Sequence, residues 1–239
     1  MFHVPCFMFH AVSKLFLQRH LKSEWNKLDI WGGWCDNPLS DVGRAQAPGI
    51  AELLKKEKID VAYSGALIRA TETVLRVYEH IPEKYPLFRY LHGGKMQTWA
   101  EFNDGDAGSY LPVYVAEELN ERYYGELQGM NKAEAKKKFG EEQVQKWRTS
   151  YSDAPPGGES GKDIYNRVLP FYQKHIEKDL KDGKNVLVVA SHHSLRAIVK
   201  YIENITDEDM IRVELGFGSL TNYEFDGNMG LTSTRYFNK

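Results

Sequence analysis

The chain has 239 residues, 42% hydrophobic and 27% charged, which is enough for one large α/β domain or two small ones with a real core. A formal net charge of −2 gives no global field for nucleic acid or an acidic membrane, so an anionic ligand must be held by a local cluster of Arg and Lys. Two cysteines, Cys6 and Cys35, are too few for a disulfide framework and suit a reducing compartment. No apolar run approaches the ~20 residues that span a bilayer, so the expectation is a cytoplasmic protein with neither a nucleic-acid nor a membrane partner.

The opening MFHVPCFMFHAV is apolar but has no early basic residue and carries Pro5. Residues 1–13 therefore read as an N-terminal extension rather than a secretory leader, ahead of a single catalytic domain over 14–239. LFLQ (15–18) reads as a buried strand running into Arg19 and His20. The Gly-rich loop GGWCDNPLS leads to a helix capped by Ser40 or Asp41, with Ile50, Leu53 and Leu54 facing inward. Pro48-Gly49 inside that pattern predicts a kink or a late start. IDVAYSG (59–65) is a second strand ending on small residues, and ALIRATETVLRVYEHI after it has helical period. Residues 83–114 mix Pro, Gly-Gly, aromatics and the run NDGDAGS, and read as a long loop insertion, a lid or a binding loop. Helices are expected at 131–149 and 160–181. VLVVA (186–190) is the strongest strand pattern, and the helix after it carries Leu195, Ile198, Val199 and Ile202 on one stripe. LTNYEFD (220–226) alternates as a late strand.

Strand-then-helix units at three places predict a three-layer α/β fold, with a mostly parallel central sheet flanked by helices on both faces. In such sheets ligands gather at the carboxyl ends of the strands. Those ends carry Arg19 and His20, then Ser64 and Gly65 with Arg69 one turn on, then Ser191, His192 and His193 with Arg196. Two imidazoles and several guanidiniums at one sheet edge suit a phosphate ester. Arg presents a planar fork that matches phosphate oxygens. A neutral imidazole can attack phosphorus in line, and cations can stabilise the equatorial oxygens without a metal. A carboxylate can then protonate the leaving oxygen. The adjacent His192 and His193 point in different directions and lack a carboxylate-rich partner motif, so no metal site is expected. Taken singly, each of these His and Arg residues is more often a structural or surface group than a catalytic one.

QRHLKSEWN resembles the RHG-x-S-x-W-N signature of the histidine phosphatase superfamily, and specifically of its cofactor-dependent phosphoglycerate mutases. The likeness continues through GGWCDNPLS, LIRATET, EELNERYYGELQGMNKAEAKKKFGEEQVQKW, PPGGES and SLRAIVKYIENITDED, covering residues 14–226. The resemblance implies that His20 is the nucleophile that becomes phosphorylated and Arg19 its phosphate-binding neighbour. It implies that Ser23 and Asn26 bind phosphate oxygens, that Gly33 turns an amide to the substrate carboxylate, and that Arg69 clamps phosphate. Glu121 matches the general acid and base, and Tyr124, Lys132 and Arg148 match groups that hold the phosphoglycerate. The implied reaction is interconversion of 3- and 2-phosphoglycerate in glycolysis and gluconeogenesis through a phosphohistidine. Its primer is 2,3-bisphosphoglycerate, its substrate is a small phosphorylated three-carbon acid, it uses no metal, and the family's dimers allow a homodimer.

The departures from the family pattern sit at the site. Leu21 stands where the family has Gly, Lys22 where it has Gln or Glu, and Thr149 where it has a second Arg. The family's A-H-G-N-S-L-R is ASHHSLR here. Without a gap, the second catalytic His falls on Ser191; with a one-residue deletion it falls on His192, which is the expected catalytic imidazole. PPGGES lacks the extra loop of larger members, whereas 83–114 is longer than in compact ones and is expected to form a lid or a subunit contact. These changes leave two further readings open: a phosphatase on small phosphate esters, or a catalytically impaired paralogue acting as a binding or scaffold protein.

Overall fold

Ser13–Arg19 forms β1, next to the centre of a seven-stranded sheet. The other strands are β2 (Val61–Gly65), β3 (Tyr85–Tyr90), β4 (Tyr110–Ala116), β5 (Val186–Ala190), β6 (Leu220–Phe225) and β7 (Leu231–Tyr236). Their order across the sheet is β3-β4-β2-β5-β1-β6-β7. β1 to β5 run parallel, and β6 and β7 add an antiparallel margin. The structure is a computed structural model and describes residues 12–91, 93–100 and 108–237. Most of the N-terminal extension thus lies outside the described residues, while Ser13 at its end already pairs with Phe225.

The main helices are α1 (Ala47–Leu54), α2 (Ile68–Tyr78), α3 (Lys132–Phe139), α4 (Glu141–Thr149), α5 (Gly161–Phe171) and α6 (His192–Ile202). Successive strand residues face opposite sides of the sheet, which divides the core in two. On one side Leu15, Leu17, Tyr63, Val186 and Val188 pack under Ile164, Val168 and Phe171 of α5 and Leu195, Ile198 and Val199 of α6. On the other, Phe16, Ala62, Leu187 and Val189 pack under Ile50 and Leu54 of α1 and Val74 and Val77 of α2. The expected three layers are therefore present. A smaller cluster of Trp31, Tyr124, Leu127, Ala135, Val144 and Trp147 joins α3 and α4 to the loops above the sheet.

Several elements differ from their sequence patterns for identifiable reasons. The helix expected at 131–149 is two helices, because Gly140 takes a φ of 85° and breaks the run. That expected at 160–181 continues past α5 as a π turn, Tyr172–Ile176, directly after Pro170, whose missing N–H and ring disturb the α ladder. Ser40 caps only the single turn Asp41–Arg44, and α1 makes the late start, with Pro48 in its first turn. Residues 83–114 hold all of β3 and most of β4, with a short helical turn Lys95–Thr98 between them, whereas much of the run NDGDAGS lies outside the described residues. Pro86 and a half-exposed face disguised β3, and an edge strand tolerates both. β7, exposed throughout, has no apolar alternation to reveal it.

Leu21 shows how the family's Gly position is accommodated. Its side chain is wholly buried among Phe16, Leu39 and Ala70, pointing down into the core. Its amide donates to Thr73 Oγ1 at 3.0 Å. Gly218, at φ 70°, clears the space above it, since a Cβ there would lie 3.0 Å from Leu21 Cδ2. Leu21→Ala is expected to cost about 2–5 kcal/mol of stability, read as a lower urea midpoint at unchanged slope.

Candidate active site

The parallel register pairs Arg19 with Ala190 and Ser64 with Val189, so β1, β5 and β2 end nearly level and release their following residues at one edge. His20 is the first residue past β1, fixed by its amide donating to the Ala190 carbonyl at 3.0 Å. Its Nδ1 lies 2.7 Å from the Leu21 carbonyl oxygen. A carbonyl only accepts, so Nδ1 carries the proton and Nε2 keeps a lone pair. Burial, then the nearby Arg69 and Arg19, pushes the His20 pKa down to about 3. The ring is thus a neutral imidazole with one nucleophilic nitrogen.

Two guanidiniums flank it, Arg69 buried and Arg19 half-buried. Arg19 Nη1 donates to the Leu215 carbonyl at 2.6 Å, and its plane lies over Phe217, 3.7 Å from the ring centroid. Burial lowers its pKa to about 10, which leaves it charged at neutral pH. Arg69 projects from α2 and donates to the carbonyls of Gly33 (2.7 Å) and Cys35 (3.1 Å). Gly33 has a φ of 50°, and a Cβ there would lie 2.4 Å from Gln128 Oε1, so any other residue would be strained and would have to displace Gln128. Ser23 and Asn26 form a capping box around the turn Glu24–Lys27, which makes one wall. Lys132 Nζ and Arg148 Cζ each lie 5.9 Å from the Trp31 ring centroid, and Tyr124 packs its ring 4.7 Å from the same indole.

Beyond β4, a 3₁₀ turn (Glu117–Leu119) leads into Asn120 and Glu121. Asn120 Oδ1 accepts from the amide of Ala66 at 2.7 Å, and its carbonyl accepts from Ser194 Oγ, which ties this loop to both neighbouring strand ends. Glu121 Oε1 accepts from the Arg122 amide (2.7 Å) and lies 2.9 Å from His193 Nδ1. Burial alone would raise the carboxyl pKa, but the interactions with His193 and the Arg122 amide hold it well below the usual carboxylate range. Burial lowers the His193 pKa despite Glu121, so the pair rests as carboxylate and neutral imidazole. Tyr124 Oη lies 3.4 Å from the same His193 nitrogen.

Ser191, the N-cap of α6, follows the last β5 residue paired with β1 and is buried. His192 lines the cavity that also holds His20. Its Nε2 accepts from Arg196 Nη2 at 3.2 Å and lies 3.6 Å from Glu214 Oε2. Burial, His193 and Arg196 depress its pKa well below the ordinary value, so it lines the site as a neutral ring rather than a cation.

Every site residue named from the sequence lines one cavity of about 340 Å³, together with Trp31, Arg122, Thr149, His193, Arg196 and Glu214. No described residue of 83–114 does. Thr149 back-bonds to the Gln145 carbonyl at 2.9 Å. His193 was legible only as part of a histidine pair, because its carboxylate partner lies 72 residues away in sequence. Glu214 had no local signal. Among the described residues no group of three or more His, Cys, Asp or Glu could hold a metal ion, and no helix is long and apolar enough to cross a membrane.

The sequence matches the description "Histidine phosphatase superfamily (branch 1)" over residues 15–101 and 95–236. It is 41% identical over 228 residues to a 2,3-bisphosphoglycerate-dependent phosphoglycerate mutase of Methanococcus vannielii, spanning 95% of this chain and 97% of that one. It is 42% identical over 223 residues to the like-named protein of Gloeothece citriformis, spanning 90% and 95%. Among solved structures, Bacillus stearothermophilus YhfR superposes with a TM-score of 0.72 at 22% identity, over 92% of this chain and 94% of that one. A mycobacterial glucosyl-3-phosphoglycerate phosphatase does so at 0.68 and 22%, over 88% and 92%. At that identity these structures speak for the fold alone.

In a ¹⁵N-edited titration, His20 should remain the neutral Nδ1–H tautomer well below the ordinary histidine midpoint of about 6.5. Its protonation should appear only near the lowered value of about 3.

Proposed function

The chain belongs to branch 1 of the histidine phosphatase superfamily, among its 2,3-bisphosphoglycerate-dependent phosphoglycerate mutases, and we propose that it interconverts 3- and 2-phosphoglycerate through phosphorylated His20. The observation that carries this reading is the neutral His20, its Nε2 left with a lone pair, between Arg19 and Arg69 in a cavity that also presents the Glu121 carboxylate. The donor set suits the primer as well: Arg19, Arg69, Lys132, Arg148 and Arg196 line the cavity, which fits an anion bearing two phosphates and a carboxylate.

2,3-Bisphosphoglycerate supplies the phosphoryl group. His20 Nε2 attacks phosphorus, forming the P–N bond as the ester P–O bond breaks. Arg19 and Arg69, held by the Leu215 and Gly33 carbonyls, are assigned to the equatorial oxygens, where fixed cations stabilise the developing charge. A proton must reach the departing oxygen and later leave the hydroxyl that attacks the phosphohistidine, an exchange assigned to the ionised Glu121 and the groups in contact with it. Ser23, Asn26 and Arg69 are assigned to phosphate, the Gly33 amide to the carboxylate, and Tyr124, Lys132 and Arg148 to the body of the phosphoglycerate. His192 is assigned a hydrogen-bonding contact to the transferring group. Ser191, where the gapless alignment puts the family's second His, offers a neutral hydroxyl in place of a charged donor, and that exchange is expected to slow transfer by roughly 10²–10³. The same reading places the protein in the cytoplasm, acting without a metal, and the family's dimers allow a homodimer.

Incubation with 2,3-bisphosphoglycerate should add one phosphoryl group by intact mass, and 3-phosphoglycerate should then be converted to 2-phosphoglycerate. His20→Ala should abolish the adduct, and Arg69→Ala should slow its formation by roughly 10²–10³. An adduct that only hydrolyses would instead identify a phosphatase, and a folded protein with no adduct would remove both activities.

A further inference from the structure

The two histidines after β5 differ in what they face. His192 is engaged through Nε2 by Arg196, whereas His193 is engaged through Nδ1 by Glu121. Glu121 Oε1 is an ionised acceptor, so His193 carries its proton on Nδ1 and a lone pair on Nε2. The ring lines the cavity, and its Nε2 makes no hydrogen bond to a described residue. Carboxylate, imidazole, cavity is the sequence of groups in which an imidazole exchanges the proton while the carboxylate orients it and stabilises its charged form. The neighbouring strand-end position holds Ser191, which has no basic nitrogen to offer.

From this juxtaposition we propose that His193 Nε2 is the general base and acid for the reacting hydroxyl, with Glu121 its orienting carboxylate; the proposal rests on the phosphohistidine reading above. In the transfer step the substrate hydroxyl oxygen bonds to phosphorus and the P–N bond to His20 breaks. The bonding pair returns to His20 Nε2, and the hydroxyl proton passes to His193 Nε2. The imidazolium so formed lies against the Glu121 carboxylate at 2.9 Å. In the reverse step His193 returns the proton to the leaving oxygen.

The pair is faced by Arg122 from its own loop, His192 and Arg196 from α6, Arg19 and His20 from the end of β1, Arg69 from α2, and Tyr124. Four of these groups are cations that oppose a further positive charge, and burial acts in the same direction. His193 is therefore neutral, ready to accept, at neutral pH, and turnover falls only as pH drops through its lowered pKa.

The test is mutase turnover against pH for the full-length protein and for His193→Gln, His193→Ala and Glu121→Gln, with the phosphoryl adduct followed in parallel. His193→Gln keeps a donor for Glu121 but cannot take a proton. It should lower kcat by roughly 10²–10⁴ with KM little changed and remove the acid limb, while the His20 adduct still accumulates on long incubation. Added imidazole should restore part of the His193→Ala turnover, and Glu121→Gln should move the acid limb to lower pH. A His193→Gln enzyme within about threefold of wild type overturns the proposal. So does an acid limb that persists in that variant and moves to higher pH, the behaviour of Glu121 as sole base after losing its partner. A wild-type protein that forms no adduct removes the phosphohistidine reading itself, whereas normal adduct and turnover with indifferent His193 variants remove this inference alone.

Discussion

The hydrogen bond from the His20 amide to the Ala190 carbonyl is the contact on which the site depends. It is the last rung of the β1–β5 ladder, and it fixes the nucleophile's backbone at the point where two parallel strands stop together. Because β2 ends level with them, the side chains released there are brought together by register rather than by loop flexibility. The Asn120 loop is then tied across the gap to Ala66 and Ser194, which brings Glu121 over the same edge. Rigid strand ends hold a reacting geometry more closely than free loops do, which is how a site with so little covalent machinery could hold its groups in line.

Once that edge is built, burial governs its chemistry. Five guanidiniums, three imidazoles and the Glu121 carboxylate line one small cavity, together with Lys132 and Glu214. Charging an imidazole there costs desolvation and repulsion together, so His20, His192 and His193 are all pushed toward neutrality. The carboxylate is pushed the opposite way, because every strong neighbour either donates to it or is positive. The result is a set of neutral nitrogens held against fixed positive charge, which suits nucleophilic attack on an anionic phosphate ester.

The departures from the family pattern divide by the same criteria. Leu21 turns into the core under Gly218 and leaves the cavity clear, so it is a packing exchange rather than an obstruction. Thr149 satisfies its hydroxyl within its own helix and leaves Arg148 facing Trp31. Ser191 differs from both, because at the end of β5 it offers a hydroxyl where the gapless alignment puts an imidazole. The histidine two residues on is held by the Glu121 carboxylate across the site.

Much of this was legible in the sequence. VLVVA, LFLQ and the strand-then-helix rhythm are local patterns whose period reports burial directly, and they sufficed for a parallel α/β sheet with cations and imidazoles at its carboxyl edge. The family motifs then assigned His20, Arg69 and Glu121 to one place. β3 and β7 escaped because edge strands carry no alternation that water would enforce, and the break at Gly140 escaped because a single backbone angle leaves little trace in composition. The sequence alone left Ser191 and His192 as alternatives, since a gap of one residue costs nothing on paper. The folded chain buries Ser191 as the N-cap of α6 and brings His192 and His193 into the cavity with His20, an arrangement that depends on where the helix starts relative to the strand end. The pairing of His193 with Glu121 likewise belongs to tertiary structure, since it joins two distant segments through one hydrogen bond that no local pattern encodes.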